Sequence, residues 1–374
     1  IQGFSQGNLR DKCNELNSSL MDWDIDPAYH NYLEVYAFLD SIVEIYPDIT
    51  HLDTSWRSHF LNLKIPVLKI SDNPEIEEDE PAIGYDGIMH PGEVMSLEIC
   101  LKIIEILLSN YGIDPEITSW VNNCEIFVLP MWNPEGWKYQ FESGCSPPWR
   151  KNLHDNDSSG SFEPEYDGVQ LNRNFDFCWE NSTPDPTSPK FRGLYPFSEK
   201  ETQLKRKLAQ DQKYVLSINN HSYGEMVIWG GSAFGVANPE FSVMFRIADS
   251  LCKRLPKSNG QGHYWNNTET CDGGYSDCWM TYVNGSLEFV VESAITLPSG
   301  ALIKQIAEDN AKAELYLFER VFGPGITGHI IDANTGKPLS AWVKVVEIYD
   351  TIIEPRKSDS LYGRFFRMLN PGIY

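Results

Sequence analysis

The sequence predicts an α/β fold, a mixed and largely parallel sheet flanked by helices, followed by a small all-β module. Short β-rich apolar runs alternate with helix-period segments over roughly the first 320 residues, which is the pattern of strands joined by helical crossovers. The helical period stops at Gly323-Pro324-Gly325, and only short β runs follow. The length, 374 residues, fits about two domains at roughly 150 residues each. The boundary therefore falls between residues 1–323 and residues 324–374.

The first thirty residues carry weak signals. From there Tyr32, Leu33, Val35, Tyr36, Phe38, Leu39, Ile42, Val43 and Ile45 keep helical spacing as far as the Pro47 stop. Residues 65–70 read as a strand, followed by an acidic loop at 75–80 and a second strand at 82–89 that runs into His90-Pro91-Gly92-Glu93. An amphipathic helix is expected over residues 94–110. Residues 124–131 read as a buried strand closing on Asn133-Pro134-Glu135-Gly136, expected as a turn. After a polar loop at 140–170, strands are expected at 214–218, 226–229 and 287–291, and a long helix at 300–322. In the last module, β runs at 326–331, 342–348 and 364–368 surround an Asn334-Thr335-Gly336-Lys337-Pro338 turn. The module reaches only about fifty residues, which predicts a strand set cut short of its full complement.

Composition excludes several functions. Thirty basic residues against 53 acidic ones give a formal charge of -23, so a phosphate backbone would be repelled and nucleic acid is not expected as a partner. The 11 Trp, 18 Tyr and 18 Phe exclude a largely disordered chain. No membrane span is expected, because the most apolar stretch, residues 99–108, is interrupted by Lys102 and Glu105 and falls short of the ~20 residues required. The chain opens on Ile1 rather than Met, which predicts removal of an upstream segment. Eight cysteines permit disulfides, and with them a secreted or periplasmic location; Cys271 with Cys278, or Cys145 with Cys178, are the candidate bridges.

The chemistry gathers at a few positions. His90 and Glu93 stand three apart at a strand-to-helix junction, where an imidazole and a carboxylate can converge on one cation. A short spacing of this kind also arises by chance, so a third ligand is needed. His221, at the end of an expected strand, is the best of the remaining histidines. Arg173, flanked by Asn172 and Asn174, offers a guanidinium fork suited to a carboxylate, although a surface Arg would look the same. Glu292 ends an apolar strand, and α/β active sites collect at strand carboxyl ends. It could act as a general base beside a metal; Glu288, on the same strand face, is the competitor.

Together these residues resemble the zinc metallocarboxypeptidases. The matching blocks are His90-Pro91-Gly92-Glu93, residues 129–136, Trp149-Arg150-Lys151-Asn152, residues 171–175, Asn220-His221-Ser222-Tyr223 and residues 285–292, in the family's order and spacing. The resemblance implies one catalytic Zn2+ held by His90, Glu93 and His221, with Glu292 as catalytic base and acid. It implies that Asn172 and Arg173 hold the terminal carboxylate of a peptide or protein substrate. Residues 325–329, 335–339 and 371–374 resemble the transthyretin-like β-sandwich of the regulatory N/E-type branch, and Gly273-Gly274-Tyr275-Ser276-Asp277 resembles that branch's Gly-Gly-x-Gln-Asp segment.

The chain also departs from the pattern. Leu153 and His154 stand where many members carry an Arg aimed at the oxyanion, leaving Arg150 or His154 to serve. Losing one such donor typically costs ~10²–10³ in rate. Glu269 replaces the family's mobile Tyr, with Tyr264 and Tyr275 nearby as substitutes. Ser276 and Ser232 fill the positions that choose the C-terminal side chain, so a preference for Lys or Arg loses its support. Asp155, Asp157, Ser159 and Gly160 have the spacing that opens a Ca2+ loop, but Tyr166 stands where the closing Glu belongs, and an acidic solvated loop reads equally well. The expected activity is release of C-terminal amino acids from peptides. Hydrolysis of cell-wall peptides or other amides on the same site, and peptide binding without turnover, remain as alternatives.

Overall fold

The computed structural model describes residues 25–144 and 148–374. Helix α1 (Tyr32–Ile45) is fixed at its start by a capping box: the Asn31 side chain accepts from the Leu33 and Glu34 amides, and Glu34 returns to the Asn31 amide. Its Val35, Leu39 and Ile42 face inward at helical spacing. Strands β1 (Thr50–Asp53), β2 (Val67–Ile70) and β3 (Ala82–Asp86) lead to helix α2 (Met95–Asn110). Helix α3 (Pro115–Val121) and strand β4 (Glu125–Leu129) come next.

Asn133-Pro134-Glu135-Gly136 does not form a free-standing turn but begins helix α4 (Pro134–Ser143). The Asn133 side chain accepts from the Gly136 amide, and Pro134 sits at the first helical position, where its missing N–H costs nothing.

Helix α5 (Lys200–Gln212), strands β5 (Leu216–His221), β6 (Met226–Ala233) and β7 (Val236–Ala237), and helix α6 (Phe241–Cys252) follow. Strand β8 (Trp265–Thr270), the short helix α7 (Ser276–Trp279) and strand β9 (Leu287–Glu292) complete the sheet region. The expected helix at 300–322 divides into α8 (Ala301–Glu314) and α9 (Tyr316–Val321).

Among the described residues, the main sheet of nine strands runs in the order β1-β2-β4-β3-β5-β9-β6, with β7 and β8 both pairing β6. β4, β3, β5 and β9 are parallel to one another, while β1, β2 and β6 join antiparallel. The sheet is therefore mixed with a parallel centre, as expected. Every residue of β2, β3, β4 and β5 is buried, the signature of strands covered on both faces.

The terminal module forms two two-stranded antiparallel sheets, β10 (Gly325–His329) with β13 (Arg364–Met368) and β11 (Trp342–Val343) with β12 (Arg356–Lys357). The strand expected at 342–348 stops at Val343, and Val346 beyond it is exposed with no burial to hold it extended. The module is bound to the larger unit by charge. Glu240, buried just before α6, accepts from both Arg356 and Arg367. Arg364 donates to the Glu78 carbonyl at 2.8 Å and Tyr362 to the Glu77 carbonyl at 2.8 Å, so the acidic loop is where the module docks.

Cys271 and Cys278 form a disulfide. Of the second candidate pair, Cys178 carries a free thiol and Cys145 lies outside the described residues. Among the described residues, no helix is long and apolar enough to cross a membrane.

Removing one partner of a buried ion pair strands the other charges, at a cost of about 3–5 kcal/mol. Glu240→Ala leaves two buried guanidinium groups uncompensated and is expected to lower the unfolding free energy by about that amount in urea titration. A loss under about 1 kcal/mol would mean that this clamp does not hold the module.

Candidate active site

The parallel strands deliver their carboxyl ends to one place. β5 and β9 pair in register, with His221 opposite Glu292 at the last rung. β3 ends at Asp86, and four residues on the chain reaches His90 and the turn into α2. At Gly92 a Cβ would lie 2.1 Å from Cβ of Pro148, so only glycine lets the segment carrying Trp149 and Arg150 settle on this turn. The Gly92 amide then donates to the Trp149 carbonyl at 3.0 Å.

His90, Glu93 and His221 come together, all buried, with donor atoms within 4.8 Å of one another. Glu93 sits between the imidazoles, Oε1 at 2.9 Å from His90 Nδ1 and Oε2 at 2.6 Å from His221 Nδ1. Burial pushes the Glu93 carboxyl up, but the two imidazoles outweigh it and hold it well below the usual range. Burial and the Arg150 cation hold His90 near 3. The His90 imidazole and the Glu93 carboxylate are thus kept in the deprotonated forms a metal requires, whereas burial lowers His221 but the Glu93 carboxylate beside it outweighs that and raises it. His221 Nε2 is buried with no hydrogen-bond partner. Two nitrogens and one carboxylate oxygen match the three-ligand sets of catalytic zinc, so these residues fit that ion.

Around them lies a cavity of about 150 Å³, lined by His90, Arg150, Asn172, Arg173, His221, Ile228, Glu269, Tyr275, Val290 and Glu292. Arg150 enters from the loop above and donates to Glu93 Oε1 at 2.8 Å. Glu292 has one carboxylate oxygen buried without a partner, and burial together with the Glu93 charge pushes its pKa up to about 8. Arg173 stacks on the Tyr275 ring, its guanidinium carbon 4.4 Å from the ring centroid. The Gly274 segment supports this wall: its φ of +68° and a Cβ position 2.6 Å from the Arg173 carbonyl both require glycine.

Other expected residues lie elsewhere. Ser276 does not line the cavity; it is buried, its hydroxyl donating to Glu288 at 2.6 Å and its amide to Asn172 Oδ1 at 2.8 Å. It therefore positions Asn172 instead of meeting a substrate side chain. Glu288 is held by Lys205 at 2.9 Å and Ser217 at 2.8 Å, which removes it as competitor to Glu292. Leu153 is buried against Tyr139 and Phe162, and His154 pairs with Glu199, so Arg150 alone of the expected oxyanion donors faces the cavity. Tyr264 is buried with its hydroxyl at the Asn310 amide. Asp155 and Asp157 cluster with Asp167, but their oxygens accept backbone amides of their own loop, including Ser159 and Gly160. That satisfies them as loop carboxylates, and calcium gains no support.

Sequence reasoning placed Glu269 only as a departure, whereas it forms part of the cavity wall. The signal was its place four residues before the Gly-Gly; its strand β8 is polar and mostly exposed, without the alternation that marks a strand.

A model of the zinc carboxypeptidases matches residues 35–313. The chain belongs to that family. Human carboxypeptidase D is 28% identical over 377 residues, 93% of this chain and 25% of that protein. Mouse carboxypeptidase M is 26% identical over 376 residues, covering 94% of this chain and 77% of that protein. The chain thus spans about a quarter of the length of the carboxypeptidase D relatives. The fold matches bovine thrombin-activatable fibrinolysis inhibitor, solved with tick carboxypeptidase inhibitor, at a TM-score of 0.66 and 20% identity, over 78% of this chain and 96% of that one. Carboxypeptidase A from Helicoverpa armigera matches at a TM-score of 0.66 and 21% identity, over 84% and 80%.

Losing an outer support of a metal ligand typically costs 10–100-fold in affinity, and losing a ligand costs more. His221→Ala should therefore weaken zinc in this cleft by more than about 100-fold in a chelator competition. Retention of wild-type affinity would remove His221 from the ligand set.

Proposed function

We propose that the chain is a zinc metallocarboxypeptidase that releases C-terminal amino acids from peptides. One observation carries the reading: a single cavity is lined at once by metal-competent histidines, the unpartnered Glu292 and the paired anchor Asn172–Arg173. His90, Glu93 and His221 would hold the zinc, which when bound supplies Lewis acidity and makes a water acidic enough to ionise near neutral pH.

The chain's own residues do the remainder. Arg173 receives the substrate's terminal carboxylate through its fork, and Asn172 adds the free amide N–H of a side chain whose oxygen Ser276 holds. This clamp puts the scissile carbonyl at the metal-ligand side of the cavity, where Arg150 meets the developing oxyanion. Glu292 takes the proton from the attacking water and returns it to the leaving amine. Its raised pKa, about 8, suits a group that must both accept and give up a proton near neutrality.

Residues 324–374 are proposed as a transthyretin-like module. Support comes from the carboxypeptidase M alignment, whose 94% coverage is more than residues 1–313 can supply. A secreted or periplasmic location is supported by the Cys271–Cys278 disulfide, which persists in an oxidising compartment.

Glu292→Gln is expected to keep zinc bound while lowering kcat on blocked dipeptides by at least ~10²-fold, the low end for a positioned general base. Unchanged turnover would exclude Glu292, and absence of turnover in the zinc-loaded wild type would favour the reading of a binding protein, to which Leu153 and Glu269 point. Glu269 supplies a carboxylate to the wall that faces a C-terminal side chain. Glu269→Gln should therefore lower the kcat/KM ratio for Lys over Leu at the C-terminus by about tenfold, equal to ~1.4 kcal/mol, in a dipeptide panel. An unchanged ratio would mean that Glu269 does not touch that side chain.

A further inference from the structure

A second set of metal-competent donors lies outside the cavity. His59 comes from the loop between β1 and β2, His154 from the loop that also carries Arg150, and Glu199 from the residue before α5; their donor atoms lie within 4.8 Å of one another. His154 Nδ1 is 2.9 Å from both Glu199 oxygens, and His59 Nδ1 is 3.6 Å from Oε2. His59 Nδ1 is buried without a hydrogen-bond partner. The two rings stack 3.9 Å apart, so both nitrogens face the same carboxylate. Glu199 is fully buried and held in orientation by Asn152 Nδ2 at 2.7 Å and the Ser198 hydroxyl at 2.6 Å, the outer support a ligating carboxylate has in metal sites.

Charge points the same way. Glu135 and Glu201 are also buried beside Glu199, and among the described residues none of the three pairs with a Lys or Arg. Protonating both imidazoles would stack two cations 3.9 Å apart. One divalent ion would offset two of these three carboxylate charges and leave both rings neutral. The side chains of His59 and His154 are 31% and 14% exposed, so an ion has a way in.

We propose that His59, His154 and Glu199 form a second divalent-metal site, separate from the His90–Glu93–His221 cleft, with two nitrogens and one carboxylate oxygen that select a zinc-like transition ion. The ion would brace the loop at His154, four residues beyond Arg150. This assignment does not depend on the proposed peptidase activity, because it is read by metal stoichiometry alone.

Zinc is titrated into the metal-free full chain, and bound ion is counted by equilibrium dialysis and elemental analysis. The wild type is expected to bind two ions per chain. Glu93→Gln combined with His221→Ala, which disables the cleft, should leave one ion, and Co2+ in that variant should give the visible absorption of a nitrogen–oxygen site. Adding His59→Asn and His154→Asn should remove it, with near-ultraviolet circular dichroism unchanged. Should the multiple variant misfold, the wild-type titration decides alone. A single zinc per wild-type chain overturns the proposal and leaves a protonated His154 paired with Glu199. Retention of the ion after both histidines are replaced overturns it equally.

Discussion

The buried ammonium of Lys205 is the interaction on which the site's geometry depends. It reaches from α5 into the sheet, pairing with Asp86 on β3 and with Glu288 on β9 at 2.9 Å, all three groups fully enclosed. Glu288 in turn accepts from Ser217 on β5 and from Ser276 on α7. One cation thus ties three adjacent parallel strands to a flanking helix and to the segment that orients Asn172. The carboxylates depend on that cation: burial, with the Glu288 charge adding to it, pushes Asp86 up to about 6 even with Lys205 beside it. Such a network contributes little to net stability, since desolvation offsets most of the attraction. Its effect is to fix register, and here register sets His221 opposite Glu292.

The parts of this arrangement visible in the sequence are those encoded by local pattern. Apolar runs marked the central strands because both faces are buried, and α1 and α2 showed because their apolar positions recur at helical spacing. Helix α5 was missed because Lys, Arg, Gln and Asp fill most of its positions and its inward anchor is itself a lysine. Strand β8 was missed for a related reason: it pairs along the exposed edge at β6 and has no buried face to impose alternation. Asn133-Pro134-Glu135-Gly136 misled because the residues that cap a helix are the residues that make turns.

At the site, residue type and spacing identified what chemistry could occur, and tertiary contacts decided which residues can perform it. Glu288 and Glu292 share a strand face, and only the position of Lys205 separates a structural carboxylate from one open to the cavity. Ser276 and Glu269 exchange their expected importance in the same way. The serine turns toward Glu288 and acts on Asn172, while the glutamate lines the cavity. Arg150 and His154 stand four residues apart in one loop, and a neighbour in space, Glu199, assigns the histidine away from the cavity. None of these outcomes is encoded by a short motif, because each depends on a charge brought from a distant segment.

The net charge of -23 gains meaning from where the cations sit. Lys205, Arg356 and Arg367 are buried and matched by the internal carboxylates of Asp86, Glu288 and Glu240, so their burial leaves the charge balance of the exterior unchanged. Arg173 is different: it is largely enclosed with no carboxylate in a salt bridge among the described residues, facing an aromatic ring instead. Burial favours loss of its charge; under the proposed function a substrate's terminal carboxylate would restore the balance, and the desolvation of Arg173 would be completed only when a chain terminus enters. An internal peptide segment has no such charge to offer. Under that proposal, selectivity for chain ends follows from an unpaired cation held away from water, in a molecule whose surface otherwise repels anions.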